Sequence, residues 1–184
     1  MDLKLIEEIN ILVNRKLIVW LNVWAVVIFL VLLAGSLFLP IEGTVAFTLV
    51  NLLLFFISLM VIIMLHEWIH GIFFKMFAPK SKVKYGFKSG MLYAANPGAK
   101  YNKKQFTLIA IMPFVLITLL TCVLFSFPVN KIALYLLFAI HTSGCVGDFY
   151  YCYKLWKNRK RSVLIEDTTV GISIFEVSNE NNAT

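Results

Sequence analysis

Hydrophobic residues run in four long stretches that are separated by short polar segments. The stretches cover residues 17–39, 45–74, 106–127 and 132–153. Each is long enough for a helix that crosses the hydrocarbon core of a bilayer, which is about 30 Å thick and needs about 20 residues. The pattern therefore predicts an all-α, multi-pass protein of the cell membrane with four transmembrane helices and the lipid bilayer as a partner.

Two segments outside these stretches carry shorter patterns. Residues 2–14 place apolar side chains at helical spacing, which favours an amphipathic helix in a cytoplasmic segment 1–16; a frayed tail is the alternative. Apolar residues and lysines alternate in residues 82–95 around a Ser89-Gly90 turn. This second pattern predicts a small cytoplasmic β-hairpin.

The end of the chain is more polar and predicts a short soluble segment. Residues 163–165 and 172–175 are apolar enough to pair as two strands, and the end from Ser178 to Thr184 is predicted to be disordered. We therefore divide the chain into a four-span membrane domain, residues 1–162, and a cytoplasmic tail, residues 163–184.

Composition and charge agree with a membrane protein and set its predicted orientation. Hydrophobic residues make up 60% of the chain and charged residues 15%, whereas about 25% is typical of soluble domains. Sixteen of the 17 basic residues fall on one side of the predicted spans. The positive-inside rule makes that side cytoplasmic, with both termini inside. Because the basic clusters adjoin the span ends, the net charge of +7 indicates anionic lipid rather than nucleic acid as a partner.

His66, Glu67 and His70 follow a run without charge from Val45 to Leu65. Histidines four residues apart lie on one helical face, where both can bind one Zn²⁺ ion. Glu67 is then predicted to be the base that takes a proton from a zinc-activated water. Charge inside a transmembrane helix is costly and usually marks function.

A hydrolytic zinc needs a third protein ligand and an open position. Asp148 is the only acidic residue in the third and fourth predicted spans. At about 1.5 Å per residue it lies about 24 Å along its span from Ile132, on the predicted cytoplasmic side, as does His66. We therefore predict Asp148 as the third ligand; an ion pair with Lys154 is the alternative.

Two neighbours of Asp148 have open roles. His141 lies seven residues earlier, on the same helical face. It is either a hydrogen-bonded helix residue or a catalytic residue. Cys145 is expected to serve helix packing, as the small residues around it do.

These motifs resemble a family of bacterial and archaeal membrane proteins of unknown function, known as putative zincin peptidases. The resemblance rests on HEWIHGIFFKMF, FKSGMLYAANPG, Pro113, SGCVGD, and Asp167 with Gly171. More broadly, about residues 50–172 resemble the site-2 protease class of intramembrane metalloproteases. This resemblance implies that His66, His70 and Asp148 bind zinc and that Glu67 is the catalytic base.

The chain departs from that class at two places. Phe149 stands where the class has a glycine after the aspartate, and the asparagine usual one or two turns earlier is replaced by His141. The resemblance thus implies a substrate or oxyanion contact for His141. We expect no regulatory domain of the kind that many members carry.

Together these features predict an intramembrane zinc metalloprotease that hydrolyses transmembrane or membrane-adjacent peptide substrates. The hairpin, with Tyr85, Phe87 and Tyr93, is expected either to bind an extended substrate by strand addition or to cap the site. One alternative is a non-catalytic zinc-binding partner or immunity protein, in which Glu67 would be dispensable. The other is an ion or proton transport component, which the lack of an inverted repeat disfavours.

The predicted orientation is tested by cysteine labelling. A cysteine at Gly43 should react with an impermeant reagent outside the cell, and one at Ser89 should react only after the membrane is opened, because basic loops stay inside. External labelling at Ser89 would contradict the orientation.

Overall fold

The computed structural model describes residues 2–39, 41 and 48–178. Its five helices are α1 (Arg15–Ser36), α2 (Leu49–Phe77), α3 (Lys103–Leu124), α4 (Lys131–Gly144) and α5 (Val146–Lys157). The first loop, with Gly43, and the predicted disordered end beyond Ser178 lie outside the described residues.

Helices α1, α2 and α3 are each long and apolar enough to cross a membrane. Polar side chains fix where three helices begin: Asn14, Thr48 and Asn102 each accept a hydrogen bond from a backbone N–H of the first helical turn. Helix α1 also packs against α4, where the Tyr135 hydroxyl donates to the carbonyl oxygen of Leu32 at 2.7 Å. These caps and contacts set the ends and the neighbours of the helices.

The fourth predicted span is broken. Helices α4 and α5 meet at Cys145 with a bend of 44°, and within the described residues they make a fourth span only if the pair is counted as one. The small residues Ser143, Gly144 and Gly147 surround the break. A run of this kind weakens the preference for a continuous helix, because glycine has low helix propensity.

The predicted hairpin is present. Strands β2 (Lys84–Lys88) and β3 (Met91–Ala95) pair antiparallel, with Lys88 opposite Met91. The two turn residues, Ser89 and Gly90, have φ of 54° and 82°. Two successive positive φ angles give a turn whose twist matches that of the paired strands.

The prediction of an all-α protein with a single hairpin is wrong, because a second sheet forms outside the membrane helices. It consists of β1 (Asp2–Ile9), β4 (Lys100–Asn102), β5 (Val163–Asp167) and β6 (Ile172–Ser178). All neighbours pair antiparallel in the order β1-β6-β5-β4. The predicted pairing of residues 163–165 with 172–175 is confirmed within this sheet.

The predicted amphipathic helix at the N-terminus is also wrong, as is the frayed tail. Strand β1 pairs with β6, and the register shifts between Leu5 and Glu7. A bulge of this kind inserts one extra residue and interrupts the alternation of side chains. The apolar residues Leu5, Ile6 and Ile9 therefore have helical spacing in the sequence although they lie in a strand.

The four-stranded sheet closes one end of the helices. Its buried residues Tyr101, Ile165 and Ile174 pack in one cluster with Phe74 of α2 and Leu155 of α5. This is the end of the helices at which most basic residues lie. The hydrophobic core therefore sits where the sheet meets the helix ends.

Gly171 provides a test of this packing. An added Cβ would lie 1.8 Å from the carbonyl oxygen of Ile9, so β1 or the turn before β6 must move. We expect Gly171→Ala to lower the free energy of unfolding by about 1–3 kcal/mol, the usual cost of overpacking.

Thermal unfolding in detergent checks this, with Gly144→Ala as the control. A Cβ at Gly144 meets nothing within 4 Å. Equal melting temperatures for the two variants would contradict the close approach.

Candidate metal centre

His66, His70 and Asp148 come together as one group. Nε2 of His66 lies 3.1 Å from Nε2 of His70 and 3.2 Å from a carboxylate oxygen of Asp148, and His70 Nε2 lies 3.4 Å from the other oxygen. Two donors on one tetrahedral zinc, each bonded at about 2.05 Å, lie about 3.3 Å apart. The spacing and the two-nitrogen, one-oxygen donor set therefore fit Zn²⁺.

The break between α4 and α5 places Asp148 in this group. Asp148 lies in the first turn of α5, directly after the break at Cys145. Helix N-termini favour negative charge, because their backbone N–H groups are unpaired and the helix dipole is positive there. The predicted alternative partner Lys154 forms an ion pair with Glu7 of β1 instead.

His70 is oriented by a backbone carbonyl of α3. Its Nδ1 lies 2.9 Å from the carbonyl oxygen of Ile109, which can only accept a hydrogen bond. Nδ1 therefore carries the proton, and the lone pair of Nε2 is free for a metal.

Pro113 explains why that carbonyl is available. In an α-helix the carbonyl of residue 109 accepts from the N–H of residue 113. A proline has no N–H, so the carbonyl of Ile109 lacks its helical donor. The buried Pro113 thus frees the acceptor that holds His70.

His66 is approached from its other side by α4. Its Nδ1 lies 3.1 Å from Nε2 of His141, and the Cys145 sulfur lies 3.9 Å from the same Nδ1. His141 and Cys145 are both buried. The two nitrogens of His66 therefore face two different groups: Nε2 faces Asp148 and His70, and Nδ1 faces His141.

Glu67 lies beside the metal group, on α2 with the two histidines. The backbone of Ala94, in β3, interacts with its carboxylate. A cavity of about 320 Å³ opens here and is lined by His66, Glu67, His70 and Asp148. Its size is at the lower end of ligand pockets.

The three hairpin residues predicted to contact a substrate occupy different places. Tyr93 lines the cavity. The Tyr85 hydroxyl lies over Gly71, where an added Cβ would be 1.8 Å away. Phe87 is 71% exposed and is not among the cavity-lining residues. Strand β3 therefore lines the cavity, and β2 lies outside it. The predicted substrate contacts of all three residues stay predictions.

Two further polar residues line the cavity although the sequence did not predict them as site residues. Asn22 of α1 lines it, and its signal is a polar side chain in an otherwise apolar span. Asp167 lines it from the four-stranded sheet and accepts a hydrogen bond from the backbone N–H of Asn96. Burial raises the pKa of the Asp167 carboxyl to about 7, although that N–H favours the charged form.

The ligand group predicts the metal content of variants. Purified protein should carry one zinc per chain, and Asp148→Ala should lose most of it, because two histidines alone leave the site one ligand short. Asp167→Asn is the matched control, since this buried acid lines the same cavity but is outside the ligand group. Elemental analysis measures both, and full zinc in Asp148→Ala would contradict the assignment.

Comparisons with known proteins assign the chain to a family. No curated protein and no solved structure matches the chain. The family described as "Putative zincin peptidase" matches residues 59–163, which include the histidine pair, the hairpin and Asp148. The match covers more than half of the 184 residues. The chain therefore belongs to this metallopeptidase family, whose name implies zinc.

Proposed function

We propose that the protein is an intramembrane zinc metalloprotease that cleaves transmembrane or membrane-adjacent peptides. The observation that carries this proposal is the convergence of His66, His70 and Asp148 on one point, with Glu67 beside them on a shared cavity. Histidine and aspartate in an apolar helix bundle are costly unless they bind something. A zinc ion satisfies all three and leaves one position open for chemistry.

The chemistry divides between the metal and Glu67. When bound, zinc polarises a carbonyl oxygen and lowers the pKa of a water towards about 7. Glu67 is placed to take the proton of the attacking water and to deliver it to the leaving amine. It follows His66 in the sequence and lines the same cavity, so it would lie beside an ion that the two histidines, one turn apart, would hold.

The cavity suggests how a substrate would bind. Residues 91–95 of β3 form one wall, and the other edge of β3 is paired with β2. A peptide lying along β3 would gain main-chain hydrogen bonds while its side chains fill the apolar cavity. Its scissile bond would then lie close to Glu67, whose carboxylate the backbone of Ala94 already meets.

We further propose that the sheet, the hairpin and both termini are cytoplasmic. Support comes from the eight lysines between Lys75 and Lys104 and from the five basic residues between Lys154 and Arg161. Both runs lie at the end of the helices where the four-stranded sheet packs. The orientation places the metal group towards the cytoplasmic side of the bilayer.

Glu67→Gln tests the catalytic assignment. Glutamine keeps the shape of glutamate but cannot take a proton, so zinc content should survive. Cleavage of a membrane-embedded peptide by the purified protein in liposomes should fall by about 10²–10⁴-fold, the range typical of general acid–base groups.

The control is Asp167→Asn, which removes another acidic group of the same cavity. It should retain most of the cleavage rate. Equal rates for Glu67→Gln and the unmodified protein, with zinc bound in both, would contradict the protease mechanism and favour a non-catalytic zinc protein.

A further inference from the structure

The second ring nitrogen of His66, Nδ1, faces away from the other two residues of the metal group. A histidine that binds metal through Nε2 in its neutral form carries its proton on Nδ1. That N–H is inside an apolar bundle, where an unpaired donor is costly. It therefore needs an acceptor on α4, the helix that it faces.

His141 provides that acceptor. Its Nε2 lies 3.1 Å from His66 Nδ1, within hydrogen-bond distance. For Nε2 to accept, the proton of His141 must be on Nδ1. Among the described residues, His141 Nδ1 is buried without a hydrogen-bond partner. The His141 ring therefore accepts from His66, and the N–H that lacks a partner among the described residues is that of His141, on the side away from the metal group.

The position of His141 separates it from the reacting groups. It is 6% exposed and does not line the cavity that His66, Glu67 and Asp148 share. It meets the side of the His66 ring opposite to the metal group. A side chain placed there can orient His66 and does not border the cavity in which a substrate would lie.

We infer that His141 is a positioning residue, which holds His66 in the tautomer and orientation that present Nε2 to zinc. This inference rests on the metal centre of the proposed function, but it concerns the resting protein and needs no substrate. The carbonyl of Ile109 does the same for His70. Removing a hydrogen-bond acceptor of this kind typically weakens metal binding by about 10- to 100-fold.

A second metal ion is an alternative explanation for the closeness of His66 and His141. His66 Nδ1, His141 Nε2 and the Cys145 sulfur lie within 4.8 Å of one another, as ligands of a second ion would. A second ion would require His66 to lose both ring protons and bridge two metals. The hydrogen bond needs no such loss, so we favour it.

A pair of amide substitutions tests the inference. Glutamine at position 141 can place its side-chain oxygen where Nε2 lies, whereas asparagine is one methylene shorter and cannot reach His66. His141→Asn should bind zinc about 10- to 100-fold more weakly than the unmodified protein. His141→Gln should recover most of the affinity, and both should still hold one zinc at saturating metal.

Affinity is measured by competition with a chelator, and cobalt substitution adds a visible spectrum that reports ligand geometry. The cobalt spectrum of His141→Gln should match that of the unmodified protein, and that of His141→Asn should differ. Cys145→Ser should change neither affinity nor stoichiometry. Because Asn and Gln are equally polar, a general effect on folding should affect both variants.

Two results would overturn the inference. One is equal zinc affinity in His141→Asn and His141→Gln. The other is a second zinc in the unmodified protein that both Cys145→Ser and His141→Asn lose. Both results are measurements of zinc binding and do not depend on cleavage. A negative result for Glu67→Gln would therefore contradict the protease mechanism without affecting the role of His141.

Discussion

Polar side chains inside an apolar helix bundle need polar partners, and this constraint shapes the centre of the molecule. The two imidazoles of α2 and the carboxylate of α5 lie 3.1–3.4 Å apart, where a shared ion would satisfy all three. The Nδ1 atoms of the two histidines also have polar partners. His70 Nδ1 lies at hydrogen-bond distance from the carbonyl oxygen of Ile109, and His66 Nδ1 lies at that distance from Nε2 of His141. The result is a polar group whose ring orientations are set by α3 and α4.

Helix irregularities provide the positions that this group requires. Pro113 removes a backbone donor and frees the carbonyl that holds His70. The break at Cys145 lets α4 present His141 to one side of His66 while α5 presents Asp148 to the other. Irregular backbone inside a membrane is tolerated where it is buried in protein or lines a cavity. Both irregularities lie at the candidate site.

The sequence was sufficient for the parts that depend on local pattern. Apolar stretches identified α1, α2 and α3 but not the break between α4 and α5, and alternation with a Ser-Gly turn identified the hairpin. The grouping of Asp148 with the histidines followed from spacing and depth. Each of these features can be read from a window of a few residues or from the length of a span.

The parts that were missed depend on contacts between distant segments. Strand β1 is stabilised by β6, more than 160 residues later in the chain, and its bulge disguises its period. The carbonyl of Ile109 accepts from His70 only when α3 packs against α2. The short strand β4 carries only three residues and gains its pairing from β5. Local propensity contains no information on such partners.

The pairing of β1 with β6 has a consequence for how the fold assembles. The two strands lie far apart in the sequence, with all five helices between them. The turn that carries Thr168 and Gly171 lies between β5 and β6 and lines the cavity. The segment after β1 holds this turn, since the Leu12 N–H donates to the carbonyl oxygen of Val170 at 3.0 Å. Contacts so distant in sequence form slowly. The cavity beside the metal-binding side chains is therefore complete only once the two distant strands have paired.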